Sequence, residues 1–403
     1  MDGKLRVTYA KAVYDDKEIE RVVSVLKEHR EAVGRETDEF EKRVSRAFGK
    51  KYGIMVNSGS SANLLAFELI NLKPGSEVIT PLLTFSTTVS PIIQKGLVPV
   101  FADVEEGKYI IDVSQIEKLI TKKTKAIMIP LLIGNIPNMK KISAIAKKHK
   151  LFLIEDSCDT FQGFFDGKPT GTYSDITTTS FYGSHIITAA AGGGMIMVNS
   201  EGYRDRAKVL RGWGRQSSLF NESESIDKRF NSKTKIEGAL YDAKFIFSEI
   251  GYNFLPLEIS AAFGNAQLDK LPVFRKKREE NFRHLLNFFK KYEKFFILPK
   301  QDAMVGTQWL AFPLTIKKNA PFTRFEIVKF LEENNIQTRP ILAGNVLKQP
   351  GFTEIKNRII KGGCPVTELI MKNGFVVGCH QGLEDVHLER IKESIAAFIK
   401  SLS

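Results

Sequence analysis

The chain has 403 residues, too many for one ordinary hydrophobic core, so two domains or one large domain with an appendage are expected. With 43% hydrophobic and 26% charged residues it reads as a soluble globular protein. No apolar run approaches the ~18 residues of a membrane span, and the N-terminus lacks the apolar stretch of an export signal, so the expected location is the cytoplasm. The net charge of +13 invites a nucleic-acid partner, but the lysines scatter over helix faces (Lys147, Lys148, Lys150, Lys276, Lys277, Lys290, Lys291) with no basic arm or stacked-aromatic motif. That pattern describes a solvated surface, and its positive field suits anionic small molecules better than a nucleic acid.

In chain order, Asp15–Arg30 carries apolar residues at helical spacing behind an acidic N-cap, Asp15 or Asp16, and Thr37–Phe48 repeats the pattern. Gly53 opens a buried strand that runs into Ser58-Gly59-Ser60-Ser61-Ala62-Asn63 and a helix through Ile70. Free N–H groups and hydroxyls at such a helix start form an anion site, although many helices begin this way without a phosphate. Strands Glu77–Thr80, Val98–Phe101, Ala126–Pro130 and Leu151–Glu155 then alternate with helices Phe85–Lys95, Val113–Ile120 and Met139–Lys148. This alternation predicts an α/β fold with a mostly parallel central sheet and helices on both faces. Asp156 follows the strand LFLIE, where such sheets hold their ligands, although a lone Asp there is more often a helix cap.

Thr177–Phe181 reads as another strand, followed by a tight crossing through Gly183, Ser184 and His185, then Gly192-Gly193-Gly194 and a second apolar strand to Val198. From Leu210 to Lys235 the chain is polar and irregular, as expected of a long loop near a site. Helices Glu258–Leu271 and Arg275–Lys291 lead into a C-terminal α+β region with strands near Ala311–Ile316 and Gly374–Val377 and helices at Arg324–Asn334 and Leu388–Ser401. The boundary is placed near residue 268, giving a large domain, 1–268, and a small one, 269–403. Cys158, Cys364 and Cys379 are too far apart for a disulfide framework or a metal knuckle, and read as small buried hydrophobes.

Ser180-Phe181, His185 and Ile187-Thr188 before the glycines resemble the cofactor-lysine segment of the sugar aminotransferases, fold-type I enzymes that use pyridoxal phosphate. AVYDDKEIE, VNSGSSANLLA, LKPGSEVITP, PIIQKGLVPVFADVE, TKAIM, LIEDSCD, LRGWGR, GYN and TRPILAGNVLKQP match the same family in order. His185 stands where the family carries lysine. Its ring nitrogens cannot condense with an aldehyde to form an imine, but an imidazole moves protons near neutral pH. The chain is therefore most similar to the nucleotide-sugar 3-dehydratases, the branch in which histidine replaces the lysine.

The resemblance implies that Gly59, Ser60 and Ser180 bind the cofactor phosphate, Phe85 stacks on its ring and Asp156 pairs with the pyridine nitrogen, while Asp159 lies near the ring's 3-hydroxyl. Phe85 as a core aromatic is the alternative. Asn253 would reach the phosphate of a neighbouring subunit, making a homodimer. Tyr182, Arg339 and His380 are candidates for contacts to substrate, Arg339 and Tyr182 also for an amino donor's carboxylate. The cofactor would be held noncovalently as pyridoxamine phosphate, renewed from glutamate. His185 would pass the proton that allows the C3 hydroxyl of a nucleotide-linked 4-keto-6-deoxyhexose to leave, as in the making of surface polysaccharides. The branch that carries an iron–sulfur cluster would place thiols, counted from Cys158, at 216, 218 and 226. Gln216, Ser218 and Ile226 stand there, so the cluster-free branch is expected.

The chain departs from the family pattern at Gly183, Ile186, Ala190-Ala191-Gly192-Gly193, Leu255 and the segment VGCHQGL around His380, departures expected to line the sugar side of the pocket. Two other readings stay open. His185 could be an engineered replacement in a lysine-bearing aminotransferase, or the chain could be a noncatalytic sugar-binding scaffold of the same fold.

Overall fold

A computed structural model describes residues 5–30, 33–190, 192–220, 225–231 and 234–402. Two capped amphipathic helices, α1 (Asp16–Lys27) and α2 (Arg35–Ala47), lead into the central layer. Asp15 is the N-cap of α1, where its side chain and that of Glu18 form a capping box. Next come β1 (Tyr52–Val56), α3 (Gly59–Ile70), β2 (Glu77–Pro81), α4 (Ser86–Gln94), β3 (Val98–Ala102), α5 (Val113–Leu119), β4 (Thr124–Pro130), α6 (Met139–Lys148) and β5 (Phe152–Asp156). The strand and helix limits lie within two residues of those expected from the hydrophobic periodicity, except that α1 ends at Lys27, three residues before the expected Arg30.

The central sheet has eight strands in the order β1, Gly194–Val198, Ile176–Ser180, β5, β4, β2, β3 and Arg358–Ile359. Gly194–Val198 runs antiparallel to both its neighbours; the other pairs are parallel. Most of these strands are largely apolar because both faces are covered, while Ile176–Ser180 buries three threonines and a serine instead. On one face α3 packs Leu65, Ala66 and Leu69 against Ile54, Val56, Met128 and Ile154. On the other, Ile116, Leu119, Ile142 and Ile145 of α5 and α6 close over Ile79, Ile127 and Leu153. Connections leave the carboxyl ends of β5 and Ile176–Ser180 on the same edge, where open α/β sheets build sites.

The C-terminal region holds a four-stranded antiparallel sheet, in the order Phe296–Ile297, Phe312–Ile316, Gly374–Val377 and Thr338–Arg339, flanked by helices Arg324–Glu333 and Asp385–Lys400. Between the two layers the structure corrects the sequence reading. The expected helices at Glu258–Leu271 and Arg275–Lys291 are one 32-residue helix, Glu258–Phe289, with Pro272 inside it. Proline removes one backbone donor, but the helix is anchored on both sides of it. Gln267 and Lys270 hold Glu18 at 2.6 and 2.5 Å, while Arg278 donates to the Trp309 and Leu310 carbonyls at 3.0 and 3.1 Å. Residue 268 lies inside this helix. The expected loop at Leu210–Lys235 contains short helical turns at Gln216–Phe220 and Ile226–Arg229, and part of it lies outside the described residues. Among the described residues, no helix is long and apolar enough to cross a membrane.

Candidate active site

A cavity of about 390 Å³ opens at the carboxyl edge of the sheet. Its floor is Asp156, the last residue of β5 and only 5% exposed. Asn63 of α3 and Thr88 of α4 each donate to Asp156 Oδ2 at 2.8 Å, and the Cys158 N–H donates to Oδ1 at 3.2 Å. Thr178 in turn donates to Asn63 Oδ1 at 2.6 Å, which turns the amide so that its NH2 faces Asp156. The carboxylate plane is thus fixed from three elements, with one edge left toward the cavity.

Beside it lies the start of α3. Ser58 is the N-cap, and its hydroxyl accepts from the Ser61 N–H at 3.1 Å. The Gly59 and Ser60 N–H groups, in the first turn of the helix, have no intrahelical partner, and both residues line the cavity with Ser180, the last residue of its strand. Glycines permit this closeness. A Cβ on Gly59 would lie 2.6 Å from Ser180 Cβ, and one on Gly194 would lie 2.2 Å from the Ser58 carbonyl carbon. The turn Ala190–Gly193 is described except for Ala191.

His185 and Asp159 form the opposite side of the floor. His185 Nε2 is 4.0 Å from Asp159 Oδ1, the two side chains being 16% and 13% exposed. Nδ1 of His185 is buried and meets no close hydrogen-bond partner among the described residues. Burial pushes the imidazole down to about 4, opposed by the nearby Ser180 backbone and the Asp156 charge. Burial also raises the Asp159 carboxyl to about 7, against the Ile133 N–H that donates to it at 2.9 Å. At neutral pH the imidazole is therefore uncharged and able to accept a proton.

The walls come from scattered segments. Phe85, 47% exposed, stands just before α4, and Tyr182, 61% exposed, stands 6.1 Å from the His185 ring, centre to centre. Arg339, exposed at the edge of the small sheet, is the one cation among the lining residues. Of the residues expected at the site, the cavity brings together Gly59, Ser60, Phe85, Asp156, Asp159, Ser180, Tyr182, His185 and Arg339.

Asn253 and His380 are elsewhere. Asn253 is exposed and paired by a bridge to Gly212, outside this cavity. His380 is 1% exposed, its Nε2 lies 3.1 Å from the Thr8 carbonyl, and its Nδ1 accepts from the Gly382 N–H at 3.2 Å. It faces the core because its ring satisfies the backbone of two segments there. Gly183, Ile186, Ala190, Gly192, Gly193 and Leu255 also do not line the cavity; Ile186 is 2% exposed. Sequence reasoning missed Tyr9, Asn63, Thr88 and the cavity-lining position of Cys158. Asn63 belongs to the quoted VNSGSSAN motif, one helical turn beyond Gly59, and that spacing was the available signal for it.

The donor set fits a phosphate-bearing aromatic aldehyde or amine. A helix start and a serine hydroxyl meet an anion, a buried carboxylate meets a ring nitrogen, and an exposed phenylalanine offers a stacking face. Sheet, cavity and donor set together define the fold-type I class of pyridoxal phosphate-dependent proteins. A family model, the DegT/DnrJ/EryC1/StrS aminotransferase family, matches residues 13–396, and the chain belongs to that family. It is 37% identical to the lipopolysaccharide biosynthesis protein RfbH of Salmonella typhimurium (strain LT2), over 95% of this chain and 89% of that protein. It is 36% identical to the dTDP-4-dehydro-2,6-dideoxy-D-glucose 3-dehydratase of Saccharopolyspora spinosa, over 100% of this chain and 88% of the relative. A crystal structure of GDP-4-keto-6-deoxymannose-3-dehydratase with a trapped PLP-glutamate geminal diamine superposes with a TM-score of 0.87 at 30% identity, covering 96% of this chain and 99% of that one.

Proposed function

We propose that the protein removes the C3 hydroxyl from a nucleotide-linked 4-keto-6-deoxyhexose, using pyridoxamine phosphate renewed from glutamate, and releases a 4-keto-3,6-dideoxyhexose and ammonia. The observation that carries this reading is His185, an uncharged imidazole lining the cavity beside Asp159, at the position where the family holds lysine. The names of the relatives support the reaction class, and RfbH supports a role in surface polysaccharide synthesis.

When bound, the cofactor supplies an amine and a ring that withdraws an electron pair. Asp156 would hold its pyridine nitrogen, and Asn63 and Thr88 keep that carboxylate in place. Gly59, Ser60 and Ser180 would take the phosphate, with Asn253 of a neighbouring subunit completing it in a homodimer. Phe85 would cover the ring and Asp159 would lie near its 3-hydroxyl. His185 would take a proton from the cofactor's C4′ and return it to the departing C3 oxygen. Such acid–base help is worth about 10²–10⁴-fold. Lacking an amine, His185 cannot displace the bound sugar, so the ketone follows elimination instead of leaving as an amino sugar. Gln216, Ser218 and Ile226 offer no thiolate, which supports a cluster-free enzyme.

The test is His185→Asn, which removes the base and nearly keeps the volume. Deoxygenation should fall at least 100-fold, while pyridoxal phosphate still binds by absorbance titration. A variant that deoxygenates at the wild-type rate would overturn the assignment.

A further inference from the structure

The N-terminal segment reaches the cavity from outside every motif of the family. Val7 pairs with Ile336 in a single parallel bridge, with backbone bonds of 2.9 Å to the Asn335 carbonyl and 2.8 Å from the Gln337 N–H. The Tyr9 N–H donates to Gln337 Oε1 at 2.9 Å. On the other side the His380 ring reaches the Thr8 carbonyl and hydroxyl, both at 3.1 Å. Gly378 presses on the same stretch, since a Cβ there would lie 2.3 Å from the Thr8 carbonyl oxygen. The segment is thereby clamped between two parts of the small domain, and Tyr9 is delivered into the cavity.

There the Arg339 guanidinium lies 5.7 Å from the centre of the Tyr9 ring. The Tyr9 hydroxyl has no hydrogen bond to the described residues, and burial raises its pKa well above the usual phenol value, so it keeps its proton and remains a donor. A cation and a neutral donor thus stand together on the wall facing His185. A carboxylate matches that pair. In an α-amino acid the carboxylate is one bond from the carbon that loses its proton, whereas in a nucleotide sugar the charged diphosphate hangs from C1, remote from C3 and C4.

We infer that Tyr9 is an amino-donor-binding residue, which with Arg339 takes the α-carboxylate of glutamate, and that His380 is the positioning residue that holds Tyr9 there. This rests on the proposed renewal of the cofactor by glutamate. It also gives buried His380 a task that its place in the core does not suggest.

Tyr9→Phe removes one oxygen that has no protein partner, so the fold should persist. Two quantities are read on the holoenzyme. One is the Kd for 2-methylglutamate, an analogue of the amino donor that lacks the α-proton and so binds without reacting, by absorbance titration. The other is the rate of each half-reaction, cofactor amination by glutamate and single-turnover deoxygenation from pyridoxamine-loaded enzyme. The Kd should rise about tenfold, equivalent to about 1.4 kcal/mol, and amination should fall about tenfold relative to deoxygenation. His380→Leu should raise the glutamate KM in the same direction, and His380→Gln, which retains an N–H toward Thr8, should recover part of it. An unchanged Kd in Tyr9→Phe, or equal losses in both half-reactions, would overturn the inference while leaving the function intact. A wild-type holoenzyme that glutamate does not aminate would overturn both.

Discussion

The floor and the walls of the cavity are built on opposite principles. The floor is buried and tied: Asp156 is 5% and Ser180 8% exposed, and Asn63, Thr88 and the Cys158 N–H all donate to the Asp156 carboxylate. The walls are side chains on segments distant in sequence, with Phe85 at 47% and Tyr182 at 61% exposure, Arg339 on the four-stranded C-terminal sheet and Tyr9 on the N-terminal segment held beside it. A fixed floor holds one cofactor in one orientation. Exposed walls leave room for the substrate to be changed by few substitutions, and they pack tightly only when something fills them. The same contrast explains why His185 belongs to the floor, where burial makes it a neutral base, although the change it introduces is in the outcome for the substrate.

The sharpest break of this contrast is Gly194→Ala. Its new methyl meets the Ser58 backbone at 2.2 Å, so the start of α3 must move. Backbone crowding of this kind costs about 1–3 kcal/mol, and because the phosphate site itself is displaced, the Kd for pyridoxal phosphate should rise at least tenfold. A larger change in side-chain size on a wall, Phe85→Leu, should raise that Kd only a few-fold, about 1 kcal/mol or less. Absorbance titration of both variants checks the order.

A smaller effect sharpens it by pH. Asp159 titrates in the folded protein at about 7, above its ordinary value of 3.8, so the folded state binds the extra proton and loses stability as pH rises from about 4 through 7. Asp159→Asn keeps the acceptor for the Ile133 N–H and removes that loss. The apoprotein should gain up to about 4 kcal/mol at pH 8 and less than half of that at pH 5, measured by urea unfolding. A gain that is the same at both pH values would mean that Asp159 is not desolvated as described.

How far the site was legible in the sequence follows the same division. Asp156, Ser180, Gly59 and Ser60 could be found because strand ends and helix starts impose local patterns, and the floor consists of strand ends and helix starts. The mostly parallel sheet could be read because alternation of apolar strands and amphipathic helices is a short-range signal. Tyr9 could not, since nothing near it in sequence records that Val7 will pair with Ile336, over 300 positions away. His380 was expected at the substrate because it replaces a family residue, but side-chain direction is a tertiary property and its ring turns to the Thr8 carbonyl. The long helix was expected as two, Glu258–Leu271 and Arg275–Lys291, and the contacts that hold it as one lie outside any local pattern: the ion pair joins Lys270 to Glu18, 252 positions away, and Arg278 reaches the Trp309 carbonyl, 31 positions away.

The measurement that tests the central claim most directly is product analysis. Purified protein is incubated with pyridoxal phosphate, glutamate and a panel of nucleotide-linked 4-keto-6-deoxyhexoses, and the sugars are read by mass spectrometry alongside an ammonia assay. A product lighter by one oxygen atom, with ammonia released in equal amount, is the predicted result. An amino sugar formed without ammonia would contradict it, because it would mean that transamination proceeds with His185 in the lysine's place.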